Sequence, residues 1–374
     1  MAAGRVLITG GAGFIGSHLA DDLLQHGYRV RVLDNLTPQV HGGRTDRPEY
    51  LHPEVEFVLG DVRDARGMRS ALEGVDAVVH FAAAVGVGQS MYEIEHYTSV
   101  NNMGTAVLLE AMVATRRQMR LLVASSMSIY GEGMYTDAAG HPCMAEGRTL
   151  AQLEAGRWEL RSPEGTVLLP VPTPESKKPS LASVYALSKY DQERLCLMVG
   201  GAYRFPVTAL RFFNVYGTRQ ALSNPYTGVL AIFASRLLNG NPPRIFEDGF
   251  QRRDFVNVAD VARACRLALE RDEAAGEVLN IGSGQSRTVR EVAEAMARVM
   301  GREDISPDVT GTYRVGDIRH CFADISRAER VLGYRPYVRF EEGLAELAAW
   351  LEGQVAVDCV TEAHSELAMR GLTI

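Results

Sequence analysis

The run Thr9-Gly-Gly-Ala-Gly-Phe-Ile-Gly16 constrains what this chain can fold into more than any other stretch. It follows the apolar Val6-Leu7-Ile8, which reads as a buried strand, and it opens the helical pattern Ile15 to Leu24. Gly11, Gly13 and Gly16 satisfy a Gly-x-Gly-x-x-Gly spacing, and Gly10, Gly13 and Gly16 satisfy Gly-x-x-Gly-x-x-Gly. Glycines so placed permit a tight turn, let backbone approach a pyrophosphate, and let the helix pack closely on the strand. The helix N-terminus then faces the phosphates. The next strand, Tyr28-Arg-Val-Arg-Val-Leu33, ends in Asp34, 18 residues past Gly16, where an acidic side chain would hold the hydroxyls of an adenine ribose. A bound dinucleotide is therefore expected. A carboxylate at 34 repels a 2′-phosphate, so NAD is favoured over NADP, and strand alternation does not aim Arg29 or Arg31 at the ribose.

From residue 4 to about 215, β-branched runs alternate with amphipathic stretches, the pattern of βαβ units. The fold class predicted is α/β: a Rossmann doubly wound parallel sheet with a smaller C-terminal α/β substrate-binding lobe. The boundaries are 1–215 for the dinucleotide domain with an insertion at 132–182, 216–352 for the lobe, interleaved with the first, and 353–374 for a tail. Further strands are read at Val55–Leu59, Ala77–His80, Leu121–Ala124 and Val207–Leu210. Helices are read at Tyr97–Ala114 and Tyr185–Val199, then near Leu230–Leu238, Val258–Leu269, Val289–Met300 and Phe340–Leu351, with Val278–Ile281 as a short strand of the lobe. The insertion is weakly periodic and rich in Gly, Pro, Ser and charge; an ordered cap beside the substrate and a mobile surface loop both fit. In the tail, Val360 to Leu367 has rough helical spacing, which suits docking on the body or a contact between subunits.

A net charge of −7 argues against nucleic acid as the main partner, but not against a small phosphorylated ligand gripped by local arginines. Cys143, Cys196, Cys265, Cys321 and Cys359 are scattered and lack Cys-x-x-Cys spacing, which fits free thiols in a reducing cytoplasm. His141 and Cys143 have no second pair beside them, so no metal is expected. Neither a signal peptide nor a membrane span is read.

In Ser183-Val-Tyr-Ala-Leu-Ser-Lys189, Tyr185 and Lys189 fall one helical turn apart on one face. An ammonium beside a phenol favours the phenolate, and such a phenol exchanges a proton with a sugar hydroxyl near neutral pH. Three more segments fall at strand ends, where open parallel sheets place ligands. In Gly60-Asp61-Val62, Asp61 suits either an adenine amino group or a cap on the following helix. In His80-Phe81-Ala82-Ala83-Ala84, small side chains would let a nicotinamide ribose lie against backbone. In Ser125-Ser-Met-Ser-Ile-Tyr-Gly131, a hydroxyl at the strand tip could bond the same substrate oxygen as Tyr185.

Together these motifs resemble the extended short-chain dehydrogenase/reductase family, in particular its NAD-dependent sugar-nucleotide epimerases and dehydratases. Leu33-Asp-Asn-Leu36, Asn101-Asn-Met-Gly-Thr105, Arg211-Phe-Phe-Asn-Val-Tyr-Gly217, Arg253-Asp-Phe-Val256, Asn280-Ile-Gly-Ser-Gly284 and Arg314-Val-Gly-Asp317 extend the resemblance over roughly residues 4 to 350. It implies that Tyr185 is the acid/base, that Lys189 grips the nicotinamide ribose and lowers the tyrosine pKa, and that Ser126 takes the place of the catalytic Ser/Thr. It assigns Phe14, Ile15, Asn35, Val62, Asn101 and Phe212 to the cofactor alongside Gly10, Gly13, Gly16, Asp34, Asp61, Phe81, Ala82 and Ala83. Val85, Met127, Ser128 and Asp317 go to the substrate, Asn214 to the sugar or diphosphate, and Arg253 and Arg314 to a clamp on the diphosphate. Guanidinium forks match phosphate oxygens from charge alone.

The resemblance also implies a shared first step, in which Tyr185 takes the C4 hydroxyl proton while hydride passes to NAD and a 4-keto sugar forms. Dehydratases resemble Thr-Asp-Glu where this chain has Ser126-Met127-Ser128, and decarboxylases place a glutamate there. Elimination needs an acid and a base, so dehydration is disfavoured. Redox-neutral 4-epimerisation of a dTDP- or UDP-hexose remains, and Tyr130-Gly-Glu-Gly, the insertion and Arg219–Gly228 resemble the epimerases of dTDP-L-rhamnose and UDP-glucose. The alternatives are a dehydrogenase or 4,6-dehydratase of the same family, or a non-catalytic NAD-binding sensor. Relatives commonly pair as homodimers through two helices, and Ala106, Leu108, Leu109, Ala111 and Met112 supply apolar positions for this.

Overall fold

The computed structural model describes residues 4–144, 147–226 and 228–373; the first three and the last residue, two residues of the predicted insertion and one of the 219–228 motif lie outside the described residues. Seven strands build one sheet: β1 (Arg5–Thr9), β2 (Arg29–Asp34), β3 (Glu56–Leu59), β4 (Ala77–His80), β5 (Arg120–Ser126), β6 (Val207–Phe212) and β7 (Val278–Ile281). Their order is β3-β2-β1-β4-β5-β6-β7, and every pairing is parallel. The order reverses between β1 and β4, and a cleft opens beyond the carboxyl ends of the strands at such a switch. Strands of this kind are covered on both faces and read as near-continuous apolar runs; all six residues of β6 are buried. The strand at Val278–Ile281, expected in the small lobe, is instead the seventh strand of this sheet, paired with β6.

Helices cover both faces. Leu19, Ala20 and Leu23 of α1 (Phe14–Gln25) pack with Ala264, Cys265 and Ala268 of Val258–Glu270 on one side. Leu108 and Met112 of α2 (Gly104–Thr115) and Cys196 of α3 (Val184–Tyr203) cover the other. A helix from the 216–352 stretch thus covers the sheet of the first domain. Leu108, Leu109, Ala111 and Met112, expected at a subunit contact, are buried in the chain's own core. The helix predicted over Tyr97–Ala114 is in fact a short turn, a π-helical stretch Thr98–Met103, and then α2. In the small lobe, Phe233 and Leu237 of Val229–Leu238, Val292 and Met296 of Val289–Val299, and Leu344 and Leu347 of Phe340–Leu351 form a separate core.

The insertion is ordered over its described residues. Met134–Thr136 pairs antiparallel with Pro142–Cys143 and with Leu169–Val171, over a small core of Tyr135, Leu160 and Leu168. Charge attaches it to the small lobe. Arg148 Nη1 meets Glu247 Oε1 at 2.7 Å, and Arg319 reaches Glu247 Oε2 at 2.9 Å and Glu159 Oε1 at 3.1 Å. The tail docks on its own chain: Asp358 accepts from Arg236 (2.9 Å) and Asn241 (2.7 Å), and Leu372 O accepts from Val315 N at 3.0 Å. Leu367 of its helix Val360–Met369 is buried on Gly88, where an added Cβ would lie 3.2 Å from it.

Candidate active site

The glycine loop is built for close approach. Gly10 has φ +69°, and a Cβ there would sit 2.7 Å from Ala82 N; at Gly16 a Cβ would sit 2.5 Å from Gly11 Cα. At Gly13 the one near atom is Gly10 O at 3.2 Å, so its outer side faces open cleft. Gly13 caps α1, whose first-turn N–H groups lack intrahelical acceptors and suit an anion. Asp34 at the end of β2 is held by Ala12 N on Oδ2 and Leu36 N on Oδ1, both at 3.0 Å. Arg31 turns away, donating to the carbonyls of Ala71 (2.7 Å) and Glu73 (2.9 Å), which leaves no guanidinium from it for a 2′-phosphate. Asp61 accepts from Asn35 and a forked Arg63, and chiefly the Arg63 bonds pull its pKa to about 2, so it stays an acceptor. These donors and acceptors, with the bare loop, fit a dinucleotide without a 2′-phosphate.

Every residue expected to hold the cofactor lines this one cleft except Asn101, together with Val85, Ser126, Tyr185 and Lys189. Asn101 is fully buried: it accepts from Ala84 N (2.7 Å) and donates to Ala84 O (3.1 Å) and Ser188 Oγ (2.9 Å). It fastens the loop after β4 to α3 instead of facing the cleft. Sequence reading missed three lining amides. Gln39 Nε2 donates to Gln89 Oε1 and Asn224 Oδ1, each at 3.1 Å, tying together the loops after β2 and β4 and the 219–228 segment. Amides dispersed over 185 residues carry no spacing signal.

Tyr185 lies in the first turn of α3, which Ser183 caps by accepting from Ala186 N at 3.1 Å. Its backbone N–H donates to Ser90 Oγ (3.0 Å), and its ring packs edge-on to Tyr97 at 6.4 Å. Burial pushes the phenol's pKa up, and a hydrogen bond from Ser126 pulls it down. Ser126 is in turn the acceptor for Ser128 Oγ at 2.9 Å. Lys189 is 4% exposed, and burial lowers its pKa to about 8. Its ammonium donates to Gln192 Oε1 at 2.8 Å.

The residues expected at the substrate divide. Met127 packs with Ile129, Tyr130 and Phe213 in a core cluster rather than facing the cleft. Asn214 Oδ1 is buried without a protein partner among the described residues, and Asn214 does not line the main cleft. Arg253 donates to the carbonyls of Ile318 and Arg319. Arg314 bonds Asp317 through Nε (2.9 Å) and stacks 4.6 Å from the centre of the Phe246 ring. Arg314 and Asp317 line a narrow crevice with Val87, Gly88 and the tail's Leu367, beside the main cleft and not within it.

Two family models match: GDP-mannose 4,6 dehydratase over residues 7–139 and the NAD dependent epimerase/dehydratase family over 167–282. The dTDP-L-rhamnose 4-epimerase of Burkholderia thailandensis is 36% identical, over 93% of this chain and 94% of its own. A dTDP-glucose 4,6-dehydratase of an Actinoplanes species is 32% identical, over 92% of this chain and 97% of its own. The crystal structure of Thermus thermophilus UDP-glucose 4-epimerase in complex with NAD is 33% identical, with a TM-score of 0.73 over 94% of this chain and 100% of that one. With a seven-stranded Rossmann sheet, a bare glycine loop and Tyr185 and Lys189 on one cleft wall, the chain belongs to the NAD-dependent epimerase/dehydratase family, and NAD is its cofactor.

Proposed function

We propose that this chain catalyses the 4-epimerisation of a nucleoside-diphosphate hexose through a transient 4-keto sugar, with NAD retained throughout. The observation that carries this reading is where the carboxylates lie. Among the described residues lining the cleft they are Asp34 and Asp61, at the ends of β2 and β3, separated from Ser126 by the strands β1 and β4. The tip of β5 offers the hydroxyls of Ser126 and Ser128, and no acid or base that would expel water across C5 and C6. Bound NAD supplies the hydride acceptor and donor. Tyr185 takes the proton of the C4 hydroxyl and returns it, Ser126 steadies the same oxygen, and Lys189 supplies positive charge. The family resemblance assigns Asn214 to the sugar or diphosphate and Arg314 to the diphosphate, which Arg314 would reach from the neighbouring crevice, and Arg253 shapes that end through the 318–319 backbone. A dTDP- or UDP-linked hexose is the substrate class these residues suit. The exposed apolar side chains Leu187 and Met198 of α3 and Met103 before α2 offer a surface for a homodimer, and five unpaired cysteines fit a reducing cytoplasm.

The test is direct. The purified protein is analysed for bound NAD and incubated with dTDP- and UDP-hexoses without added cofactor. The expected result is a 4-epimer and no free NADH. Stoichiometric NADH with a released keto sugar would make it a dehydrogenase, and a 4-keto-6-deoxy product a dehydratase. Because the tail covers the crevice of Arg314 and Asp317, deleting residues 353–374 is expected to raise KM for the sugar nucleotide by about 10-fold and to leave NAD content unchanged, the pattern of lost uniform binding.

A further inference from the structure

Behind Tyr185 and Lys189 lies a buried polar chain that the reaction as described does not use. Lys189 Nζ donates to Gln192 Oε1 at 2.8 Å, and Gln192 Nε2 donates to Thr105 Oγ1 at 2.8 Å. Thr105 Oγ1 also meets His80 Nε2 at 2.9 Å, and His80 Nδ1 meets Thr9 Oγ1 at 2.7 Å, beneath the glycine loop. Gln192, His80, Thr105 and Thr9 are each at most 1% exposed. The direction of the amide is determined. The Thr105 hydroxyl gives its proton to Asn101 O at 2.6 Å, so it can only accept from Gln192, and the carboxamide oxygen is left facing the ammonium.

We propose that Gln192 is a positioning residue for this reaction: its oriented carboxamide holds the Lys189 ammonium on the cleft wall and keeps it protonated without placing a negative charge there. The proposal rests on the reading of Lys189 as half of the catalytic pair. The charge of Glu193 also favours the protonated form of Lys189, but Gln192 is the side chain that accepts from its ammonium. Glu193, the next residue on α3, is committed to Arg211 (2.7 and 2.9 Å) and Ser125 (2.7 Å). His80 on β4 is kept neutral by burial, which lowers its pKa to about 3, and burial raises the Cys196 thiol to about 12. Tyr185, one turn back, has a phenol that burial pushes up and Ser126 pulls down. A carboxylate at 192 would hold the ammonium more tightly but cancel its field at the phenol and the substrate oxygen. An apolar side chain would leave a buried cation unsolvated, which favours loss of its proton. An amide satisfies both requirements.

The chain's lysines are Lys177, Lys178 and Lys189, so lysine-selective ¹³Cε NMR of the NAD-loaded protein reports Lys189 among three signals, with Lys189→Arg for assignment. Gln192→Met, which keeps volume and removes the dipole, is expected to move the Lys189 titration down by about one pH unit, and Gln192→Glu to move it up by about as much. Both shifts need only a folded protein, shown by its melt. If Gln192→Met does not fold, the upward shift in Gln192→Glu decides alone. Titration at the native pH in whichever variants fold would overturn the proposal and leave Gln192 a packing residue. This readout uses no substrate, so it stands apart from the epimerase reading, which fails instead if no sugar nucleotide gives a 4-epimer.

Discussion

Tyr185→Phe is expected to lower kcat by about 100-fold or more, the scale of a positioned acid/base. The effect belongs to the hydroxyl alone, because nothing that places the residue depends on it. The Tyr185 backbone N–H still bonds Ser90, the ring still meets Tyr97 edge-on, and Ser183 still caps α3. Thermal stability, NAD content and KM are therefore expected to change little, while Ser126 loses the oxygen it donates to. The pH profile supplies a second sign. The Lys189 charge is present below its pKa of about 8 and is lost as pH rises through it, so the native rate falls on the alkaline side. The residual rate of Tyr185→Phe, with no phenol for that charge to assist, should be flat there. Activity within a fewfold of native would remove Tyr185 from the mechanism.

The parts of this molecule legible in sequence are those with local, repeating physics. The glycine loop, Asp34 and the Tyr185–Lys189 pair each announce themselves because strand, turn or helix geometry sets their spacing, and they meet in one cleft. Val278–Ile281 was misassigned because a short apolar strand says nothing of its partner; β7 joins β6 across a gap of 65 residues between Phe212 and Val278. Asn101 and Met127 were placed by resemblance. Their side chains turn inward because the π-helical stretch and the 3₁₀ turn after β5 shift the facing from what a regular helix would give. Gln192 and the three amides of Gln39, Gln89 and Asn224 were invisible for another reason. A polar side chain means little until the fold buries it opposite a specific partner. The insertion was the least readable, since ion pairs hold it more than an apolar period does.

Those ion pairs carry the largest stability effect expected in the chain, at Arg319. The side chain is 1% exposed and is forked onto Asp248 (2.6 and 2.9 Å), with Glu247 and Glu159 completing the shell. Glu247 is equally buried, and burial raises its pKa against the pull of Arg148 and Arg319. Arg319→Met would leave Glu247 to Arg148 alone. Removing one partner of a buried pair costs about 3–5 kcal/mol, and the surviving Arg148 bond puts this case at the lower end, about 3 kcal/mol. A fall in Tm of about 4 °C follows for a chain of this length. Adding Glu247→Gln to Arg319→Met removes one of the carboxylates left in excess and should recover part of the loss, which a double-mutant cycle measures. The network also backs the loop of Arg314 and Asp317, because Arg148 Nη2 donates to Asp317 O at 3.1 Å while Nη1 holds Glu247. Arg319→Met should thus raise KM for the sugar nucleotide while NAD stays bound, since none of these residues lines the cofactor cleft. A variant that melts like the native protein would mean that the insertion is held by its small apolar core and not by charge.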